Sequence, residues 1–352
     1  AINMGLRTEM SADPSVVLLG EDIGINGGVF RATAGLQNTF GKQRVIDTPL
    51  SETLIAGMSI GMAAEGLKPV AEIQFMGFIY ATFDQIINHA SRLRNRTRGR
   101  LTCPLVLRAP FGGGIHAPEH HSESTEALFA HIPGLRVVIP SSPSRAYGLL
   151  LAAIRDPDPV IFLEPKRIYR MFKQQVQDNA EALPLDVCFV LTEGSDVTLV
   201  SWGAMIHETL AAAEQLATNG INAEVIDVAT IKPLDMNTIL ESVAKTGHCV
   251  IIHEAARTCG VGAEIRGIER IMDTLCREYN RYGLDNNREP NIIIMGYSEK
   301  RELIRELVSA RNIPLDVPPE DGTPMIVEGC LVVETSGRGA RFAYAGDVFD
   351  VL

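Results

Sequence analysis

The sequence predicts an α/β protein with two domains, each built on a mostly parallel β-sheet. Short runs rich in valine, isoleucine and leucine alternate with helical patterns, which is typical of strands covered by helices on both faces. A chain of 352 residues is also long enough for two hydrophobic cores. A polar, weakly patterned segment at 166–184 is interpreted as a linker. We therefore expect domains at 1–175 and 185–265, followed by an atypical α/β tail at 266–352.

The elements of both domains follow from this alternation. In the first domain, apolar runs predict strands at 15–20, 69–75, 105–109, 135–140 and 160–164. Helical periodicity predicts helices at 52–64, 82–94 and 144–154. In the second domain, the same criteria predict strands at 197–201, 223–228 and 250–253 and helices at 207–218 and 236–245.

The tail gives its own pattern of elements. An apolar run predicts a strand at 291–295, followed by an amphipathic helix at 299–311 and a strand or hairpin at 325–334. Three strands alone would leave the second sheet with an exposed edge, which invites mispairing. We therefore expect 291–295 to add a strand to that sheet. The helix would pack on it through one apolar face, formed by Leu303, Ile304, Leu307 and Val308.

Composition and charge argue against several classes of function. The net charge of −11 argues against a nucleic-acid-binding protein, which would carry a basic face. No run of about 18 apolar residues occurs, so the sequence predicts no membrane-spanning helix. The six cysteines are scattered without a C-x-x-C pair, which favours reduced thiols over a disulfide framework or a zinc site. We expect a cytoplasmic protein that binds neither nucleic acid nor a membrane.

The first segment that suggests catalysis places a carboxylate at the start of a very apolar helix. Its residues are Asp47-Thr48-Pro49-Leu50-Ser51-Glu52. One interpretation is an ordinary acidic first turn, in which Glu52 interacts favourably with the helix dipole. The other depends on the next three turns, which carry no charge and predict a helix buried all round, with Gly57 and Gly61 letting another backbone approach. A carboxylate there would be desolvated, with a raised pKa suited to proton transfer.

The second segment places several imidazoles on a glycine-rich loop after a predicted strand. Four histidines lie within sixteen positions, namely His116, His120, His121 and His131. A metal site and plain surface histidines are both open interpretations, although no His-x-x-x-His pair on a helix and no flanking cysteine supports a metal. The glycines at 112–114 either permit close backbone approach or bind phosphate through their N–H groups. Together the two segments predict a buried acid–base site formed by two loops of one domain.

The two segments resemble the β subunit of the thiamine-diphosphate-dependent decarboxylating component of 2-oxo acid dehydrogenase complexes, of the pyruvate or branched-chain type. That family has an Asp-Thr-Pro-(Ile/Leu)-(Ser/Ala)-Glu segment, which 47–52 matches, and a His-Ser-Gln-Ser segment, which 121–124 matches except for Glu123. The second domain is similar to the C-terminal domain shared with transketolases, in its segments 194–203, 225–235 and 253–255. The resemblance covers about 1–265. It implies a transketolase-like pyrimidine-binding domain followed by a transketolase C-terminal-type domain.

The resemblance implies which residues would hold the cofactor. Glu52 would hydrogen-bond the aminopyrimidine ring of thiamine diphosphate and so promote deprotonation of its thiazolium ring. Gln74 and Phe78 match positions that line the pyrimidine pocket, although plain packing at a strand end is the alternative. The diphosphate motif of such enzymes, Gly-Asp-Gly…Asn, does not occur in the sequence. An α subunit would therefore supply Mg²⁺ and the diphosphate half of the site.

Further residues receive roles from the same resemblance. Glu21 would extend a proton path between active sites, or else be a solvated carboxylate in a turn. His121 would face the thiazolium ring and the incoming lipoyl group, and His131 matches a further histidine of the family. A monovalent cation such as K⁺ that orders the histidine loop would be bound near a helix end, where an ordinary proline-reinforced helix stop is the alternative. The positions that match its ligands are Leu105, Ala153, Asp156 and Asp158.

The resemblance implies half of an enzyme, namely the β subunit of an α2β2 2-oxo acid dehydrogenase component that is inactive when isolated. The assembled enzyme would decarboxylate pyruvate or a branched-chain 2-oxo acid and pass the acyl group to lipoyl-lysine on an acyltransferase core. The side chain of the substrate is left open, because both types share these motifs. The alternatives are an acetoin-cleaving or transketolase-like β subunit and a non-catalytic scaffold subunit.

Overall fold

The computed structural model describes residues 1–116, 120–265, 291–295, 330–336 and 339–344. The chain divides into two units by its internal contacts. The first comprises Ala1–Val187 together with Ala229–Leu234. The second comprises Cys188–Val228 together with the described residues from Asp235 onward.

Strands and helices alternate along most of the described part of the chain. The strands are β1 (Val16–Gly20), β2 (Val45–Asp47), β3 (Lys68–Glu72), β4 (Val106–Phe111), β5 (Arg136–Val138), β6 (Val160–Pro165), β7 (Phe189–Thr192), β8 (Val197–Ser201), β9 (Ala223–Asp227), β10 (Thr230–Lys232), β11 (His248–Ile252), β12 (Asn291–Met295), β13 (Cys330–Ser336) and β14 (Gly339–Tyr344). The α-helices are α1 (Ile2–Ala12), α2 (Leu36–Phe40), α3 (Glu52–Ala64), α4 (Phe83–Asn88), α5 (Leu93–Arg96), α6 (Glu126–Ala130), α7 (Pro143–Arg155), α8 (Met205–Thr218), α9 (Met236–Thr246) and α10 (Val261–Ile265). Short 3-10 helices occupy Met76–Thr82, Ala90–Arg92 and Lys166–Tyr169.

The sheet of the first unit has the order β10-β5-β6-β4-β3-β1-β2. All neighbours pair in parallel except β10, which is antiparallel to β5. Every residue of β1, β4 and β6 is buried, as expected of strands covered on both faces. The mostly parallel α/β fold predicted for this unit is confirmed. The sequence did not predict the three-residue strands β2 and β10.

The helix predicted at 82–94 is wrong, since this stretch is broken into α4, a 3-10 turn and α5. The break lies at His89, whose φ of −121° and ψ of −63° leave the helical region. Side chains compete there for backbone acceptors. The Ser91 hydroxyl donates to the Ile87 carbonyl at 2.7 Å, and the Arg96 guanidinium donates to the Asn88 carbonyl at 2.6 Å. Such bonds give the backbone an alternative to a continuous helix.

The segment interpreted as a linker, 166–184, belongs to the first unit. Asp178 accepts hydrogen bonds from Thr8 of α1 at 2.8 Å and from Tyr147 of α7 at 2.7 Å. Arg155 donates to the Ala180 carbonyl at 3.1 Å. The segment is therefore fastened to a helical layer of the first unit by specific polar contacts.

The sheet of the second unit has the order β14-β13-β12-β11-β8-β9-β7. Its four central strands are parallel, and β7, β13 and β14 are antiparallel to their neighbours. The predicted addition of 291–295 to this sheet is confirmed, because β12 pairs with β11 in parallel, with Cys249 opposite Ile292. β13 overlaps the strand or hairpin predicted at 325–334, whereas the helix predicted at 299–311 lies outside the described residues.

Among the described residues, no helix is both long and apolar enough to cross a membrane.

A buried histidine marks the carboxyl end of β11. His253 is only 1% exposed and its ring stacks on Trp202, with centroids 5.1 Å apart and planes inclined by 16°. Gly260 and Gly262 lie against the ring; a Cβ atom at Gly262 would be 2.7 Å from Nε2. Among the described residues, neither ring nitrogen has a hydrogen-bond partner. Burial lowers the pKa of His253 to about 4 from 6.5, so the folded chain holds the ring neutral.

We expect this histidine to make the chain sensitive to acid. Because its pKa is lower in the folded chain, the stability it contributes is present above about pH 6.5 and is lost as the pH falls towards 4. Between pH 7.5 and 5.5 the loss should be roughly 1 kcal/mol. Denaturant unfolding should show this loss in the wild type and not in His253→Leu. Replacement of the exposed His131 by Leu is the control, and an equal loss in all three chains would contradict the assignment.

Candidate active site

The carboxyl ends of four neighbouring parallel strands bring the predicted catalytic segments to one edge of the first sheet. Glu21 follows β1, Glu52 follows β2 after a short turn, and Gln74 follows β3. The loop that carries His121 follows β4. Since β4, β3, β1 and β2 are adjacent and parallel, all four segments leave the sheet on the same side. This is where open α/β sheets bind their ligands.

Glu52 and Glu21 form a pair of neighbouring carboxylates. Glu52 is the first residue of α3, and the Ser51 hydroxyl caps that helix by accepting the Leu54 N–H at 3.4 Å. The Ser51 backbone N–H donates to the Glu21 carboxylate. Burial, followed by the negative charges of Glu52 and Asp22, raises the pKa of Glu21. Glu21 is 7% exposed and its Oε1 has no hydrogen-bond partner among the described residues, whereas Glu52 is partly exposed.

The expectation that α3 is buried all round is wrong for the single chain. Ile55, Ala56, Ser59, Ile60 and Ala63 are buried, but the opposite side of the helix is not. Leu54 and Gly61 are exposed, and Gly57 and Met58 are half-buried. The spacing of these four positions places them on one helical face. The absence of charge therefore predicted a largely apolar helix, but it did not show that this chain alone covers every face of that helix.

His121 lies against two aromatic rings. Its centroid is 4.5 Å from that of Phe75 and 5.4 Å from that of Phe78, both in edge-on geometry. The two phenyl rings also contact each other at 5.8 Å. We call Phe75, Phe78 and His121 the histidine platform. Gln74, which is partly exposed, immediately precedes Phe75 in the sequence.

The loop that carries His121 is fastened to the 3-10 helix Met76–Thr82 and to the end of β4. The Gly77 N–H donates to the His120 carbonyl at 3.1 Å, and the Gly112 N–H donates to the Glu123 carbonyl at 2.9 Å. The Tyr80 hydroxyl donates to Glu123 Oε2 at 3.1 Å. Glu123, which replaces the glutamine usual at this position of the resembling family, thus uses its carboxylate to anchor the loop.

The remaining histidines are not joined to the platform by the described contacts. His131 is an exposed residue at the C-terminal end of α6. His116 and His120 are exposed as well, and His116 has a φ of +54°. Within the described residues, no group of three or more histidine, cysteine or acidic side chains could hold a metal ion. The close approach predicted for the glycine run occurs at Gly114, where a Cβ atom would lie 2.8 Å from the Arg167 side chain.

The residues that match a cation site lie near the amino ends of the strands of the same sheet, opposite to the catalytic segments. The Leu105 carbonyl, just before β4, accepts the Val160 N–H at 2.8 Å, and the Ala153 carbonyl accepts the Asp156 N–H at 3.4 Å. The Asp156 carboxylate accepts from Arg136 at 3.1 Å and from the Asp158 N–H at 2.8 Å. Asp158 pairs with Arg94 at 2.7 Å. Both carboxylates therefore already have positive or N–H partners.

Sequence reasoning missed a buried charged cluster beneath the platform. Arg108 of β4 lies between Glu72 of β3 and Glu164 of β6, at 2.9 Å and 2.6 Å. All three side chains are at least nine-tenths buried. Burial raises the pKa of Glu72 although the Arg108 charge opposes the shift. The available signal was a charged residue within or at the end of each of three mostly apolar strands, which predicts mutual compensation because lone buried charges are costly.

The comparisons with known proteins agree with this architecture. Residues 1–171 match the family described as transketolase, pyrimidine binding domain, and residues 188–287 match the transketolase C-terminal domain. A solved structure described as a split gene transketolase, inactive beta4 tetramer, has the same fold, with a TM-score of 0.64 at 21% identity. The match covers 88% of this chain and 91% of that one. The chain is thus a two-domain protein of the transketolase type.

Sequence relatives narrow this class to one family. The pyruvate dehydrogenase E1 component subunit beta of Acholeplasma laidlawii is 52% identical over 265 residues, which are 75% of this chain and 81% of that one. The subunit of the same description from Bacillus subtilis (strain 168) is 49% identical over 265 residues, covering 75% and 82%. The chain belongs to the family of pyruvate dehydrogenase E1 component β subunits. The predicted resemblance and its confinement to about three quarters of the chain are confirmed.

We expect Gly77→Ala to displace the histidine loop, because an added Cβ atom would lie 2.6 Å from the Cα atom of His120. Hydrogen–deuterium exchange of residues 120–125 in the isolated chain should accelerate roughly tenfold or more as the loop opens. Gly61→Ala is the matched control, since its methyl group would meet nothing within 4 Å. Unchanged exchange in Gly77→Ala would show that the loop does not depend on this contact.

Proposed function

We propose that this chain is the β subunit of a 2-oxo acid dehydrogenase decarboxylating component and provides the aminopyrimidine half of a thiamine diphosphate site. The observation that carries the proposal is the carboxylate pair Glu52–Glu21 at the same sheet edge as the histidine platform. The names of the relatives support it, because both are E1 β subunits of pyruvate dehydrogenase. They also favour pyruvate over a branched-chain 2-oxo acid as substrate.

The residues present fit an aminopyrimidine ring. Such a ring needs a carboxyl group at one of its nitrogens and flat apolar walls. Glu52 is partly exposed at the mouth of α3, where it can reach a ligand, and Phe78 offers an aromatic surface nearby on the platform side. The unpartnered Oε1 of Glu21 gives the buried end of the pair capacity for one more hydrogen bond. Gln74 can add an amide at the same edge.

The proton chemistry of the chain follows from the carboxylate pair. In a pair of neighbouring carboxylates, each negative charge disfavours ionisation of the other. Glu21 has the raised pKa, and Glu52 is the member that can touch a cofactor. Glu52 would hold or release a proton at a pyrimidine nitrogen. Glu21 would exchange protons with Glu52 from the buried side of the pair. Thiamine diphosphate, when bound, supplies the electron sink for loss of carbon dioxide from the 2-oxo acid.

His121 would act on the acyl-transfer side of the reaction. Its ring is held edge-on by Phe75 and Phe78, yet the side chain is only partly buried. A fixed imidazole at the rim of a site can transfer a proton to an incoming group. We propose that this group is a lipoyl-lysine carried by an acyltransferase core, which receives the acyl group. A role for His131 is supported by the resemblance alone, because this residue is exposed at the end of α6 and no described contact joins it to the platform.

An α subunit would complete the site in an α2β2 assembly. The sequence has no Gly-Asp-Gly…Asn motif, so Mg²⁺ and the diphosphate belong to the partner. Exposed apolar side chains follow the carboxyl ends of β1 and β2, with Ile25 at 80% and Leu50 at 81% exposure. The uncovered face of α3 continues this surface. Such apolar exposure is unfavourable in water and is typical of a partner interface.

The cation site is part of the same proposal. A monovalent cation such as K⁺ prefers oxygen ligands, and the carboxylates of Asp156 and Asp158 are paired with arginines. The ligands would therefore be mainly backbone carbonyls of Leu105, Ala153, Asp156 and Asp158.

We expect Glu52→Gln to abolish activation of the cofactor while leaving folding and assembly intact. The amide keeps the size of the side chain but cannot exchange a proton, so decarboxylation by the assembled α/β pair should fall by about 10² or more. Hydrogen–deuterium exchange at the thiazolium C2 of bound thiamine diphosphate is the direct measurement. Glu181→Gln, which removes an exposed carboxylate of the same unit, is the control. Normal exchange in assembled Glu52→Gln would refute the role of Glu52.

We expect Gly61→Ala to have opposite effects on the isolated chain and on the assembly. In the isolated chain the methyl group meets nothing, and alanine favours a helix over glycine by up to about 1 kcal/mol. If a partner helix packs closely on this face, the same methyl group obstructs it. The variant should unfold at a higher temperature alone and form fewer α/β complexes by analytical ultracentrifugation. Ser11→Ala, an exposed position of α1, should leave assembly unchanged, and normal assembly of Gly61→Ala would argue against the interface.

A further inference from the structure

The buried charged cluster beneath the histidine platform contains equal numbers of acidic and basic side chains. Glu72, Arg108, Glu164 and Lys166 are each at least nine-tenths buried, and we call them the charge quartet. The quartet contains two carboxylates and two cations, so its formal net charge is zero when all four are ionised, and the ion pairs join Arg108 to both glutamates. The register of the sheet accounts for the first three, because Glu72 is opposite Arg108 and Glu164 lies two residues beyond the partner of Arg108 on β6.

One arm leads from the quartet to the platform through Lys166. This residue follows β6 and begins the 3-10 helix Lys166–Tyr169. Its Nζ lies 5.8 Å from the centroid of the Phe75 ring, within the range in which a cation attracts an aromatic face. Phe75 in turn contacts His121 at 4.5 Å, the shortest ring contact of the platform.

A second arm leads through Tyr169. Its hydroxyl donates to Glu164 Oε2 at 2.6 Å, so this arm also starts at the quartet. The Tyr169 ring lies 5.0 Å from that of Phe30, and Phe30 lies 5.5 Å from Phe75. Phe75 is therefore contacted by the Lys166 cation and by the Phe30 ring, and the Phe30 ring is linked to Glu164 through Tyr169.

We propose that Tyr169 and the charge quartet are positioning residues that fix the orientation of His121 through Phe75. None of them needs to touch substrate or cofactor. Glu72, Arg108 and Glu164 are held rigidly, because moving any of the three would leave a buried charge without its ion-pair partner, which is costly. The two arms pass that rigidity to one phenyl ring, and the ring sets the plane of the imidazole. The catalytic consequence rests on the function proposed above for His121, whereas the positioning itself does not.

Tyr169→Phe is the sharpest test, because it keeps the ring that contacts Phe30 and removes only the hydroxyl bonded to Glu164. Tyr147→Phe is a matched control, since the Tyr147 hydroxyl donates to Asp178 at 2.7 Å outside the platform. In the isolated chain labelled with ¹³C at histidine Cε1, the His121 resonance should shift or broaden in Tyr169→Phe and not in Tyr147→Phe. His121→Ala assigns the resonance. An unchanged His121 resonance would overturn the positioning role.

A double-mutant cycle in the assembled α/β enzyme tests the catalytic consequence. In the otherwise wild-type enzyme, the Tyr169→Phe substitution should lower lipoyl-linked turnover roughly tenfold, because small displacements of a catalytic group are costly. In the His121→Ala background it should change turnover less than about twofold, since the group through which it acts is gone. Equal losses in both backgrounds would mean that Tyr169 does not act through His121.

The two possible failures can be told apart. If His121→Ala leaves lipoyl-linked turnover normal, the proposed function of His121 is wrong, while the resonance of His121 still reports on positioning. If Tyr169→Phe does not fold, Phe30→Leu breaks the same arm at a partly exposed residue and should shift the same resonance. A normal His121 resonance in folded Phe30→Leu would overturn the proposal just as firmly.

Discussion

The parallel pairing of β4, β3, β1 and β2 is the constraint on which the candidate site depends. Each strand gives its hydrogen bonds to its neighbours and releases the chain at the same edge, so segments distant in sequence meet there. Gly20, the last residue of β1, is opposite both Asp47 and Glu72. The residues that follow these three strand ends provide the carboxylate pair and the start of the histidine platform. A slip in register would separate them.

The interior of the sheet contains charged side chains that parallel pairing would be expected to exclude. Parallel strands covered on both faces need apolar side chains, yet Arg108 and its two glutamates lie inside them. Burying charges is tolerated here because every ion pair also makes a hydrogen bond of 2.6–2.9 Å. The pairs cross from β3 to β4 and from β4 to β6, so they also fix the strands relative to one another. The strands below the histidine platform are thus joined by directional bonds in addition to apolar packing.

The sequence alone predicts the parts of the site that depend on local pattern. Glu52 follows from a capped, uncharged helix, and His121 from its place in a short motif. Phe75 and Lys166 could not be predicted as partners, because ninety residues separate them and only the sheet brings them together. The burial of α3 was overestimated for a related reason. Hydrophobicity predicts that a helix face avoids water. It does not show whether that face packs against the core of its own chain or against a second chain.

The same sheet places two predicted sites at opposite ends of β4. Leu105 precedes the strand and the loop that carries His121 follows it, so the two sites are about 20 Å apart along six residues. We propose that an ion bound near Leu105 would influence that loop through the intervening strands and not by direct contact. Any influence must pass along β4 and β6, where Arg108 and Glu164 form the central polar link. An ion that steadies the amino ends of these strands would steady that pair, and through it the support of His121.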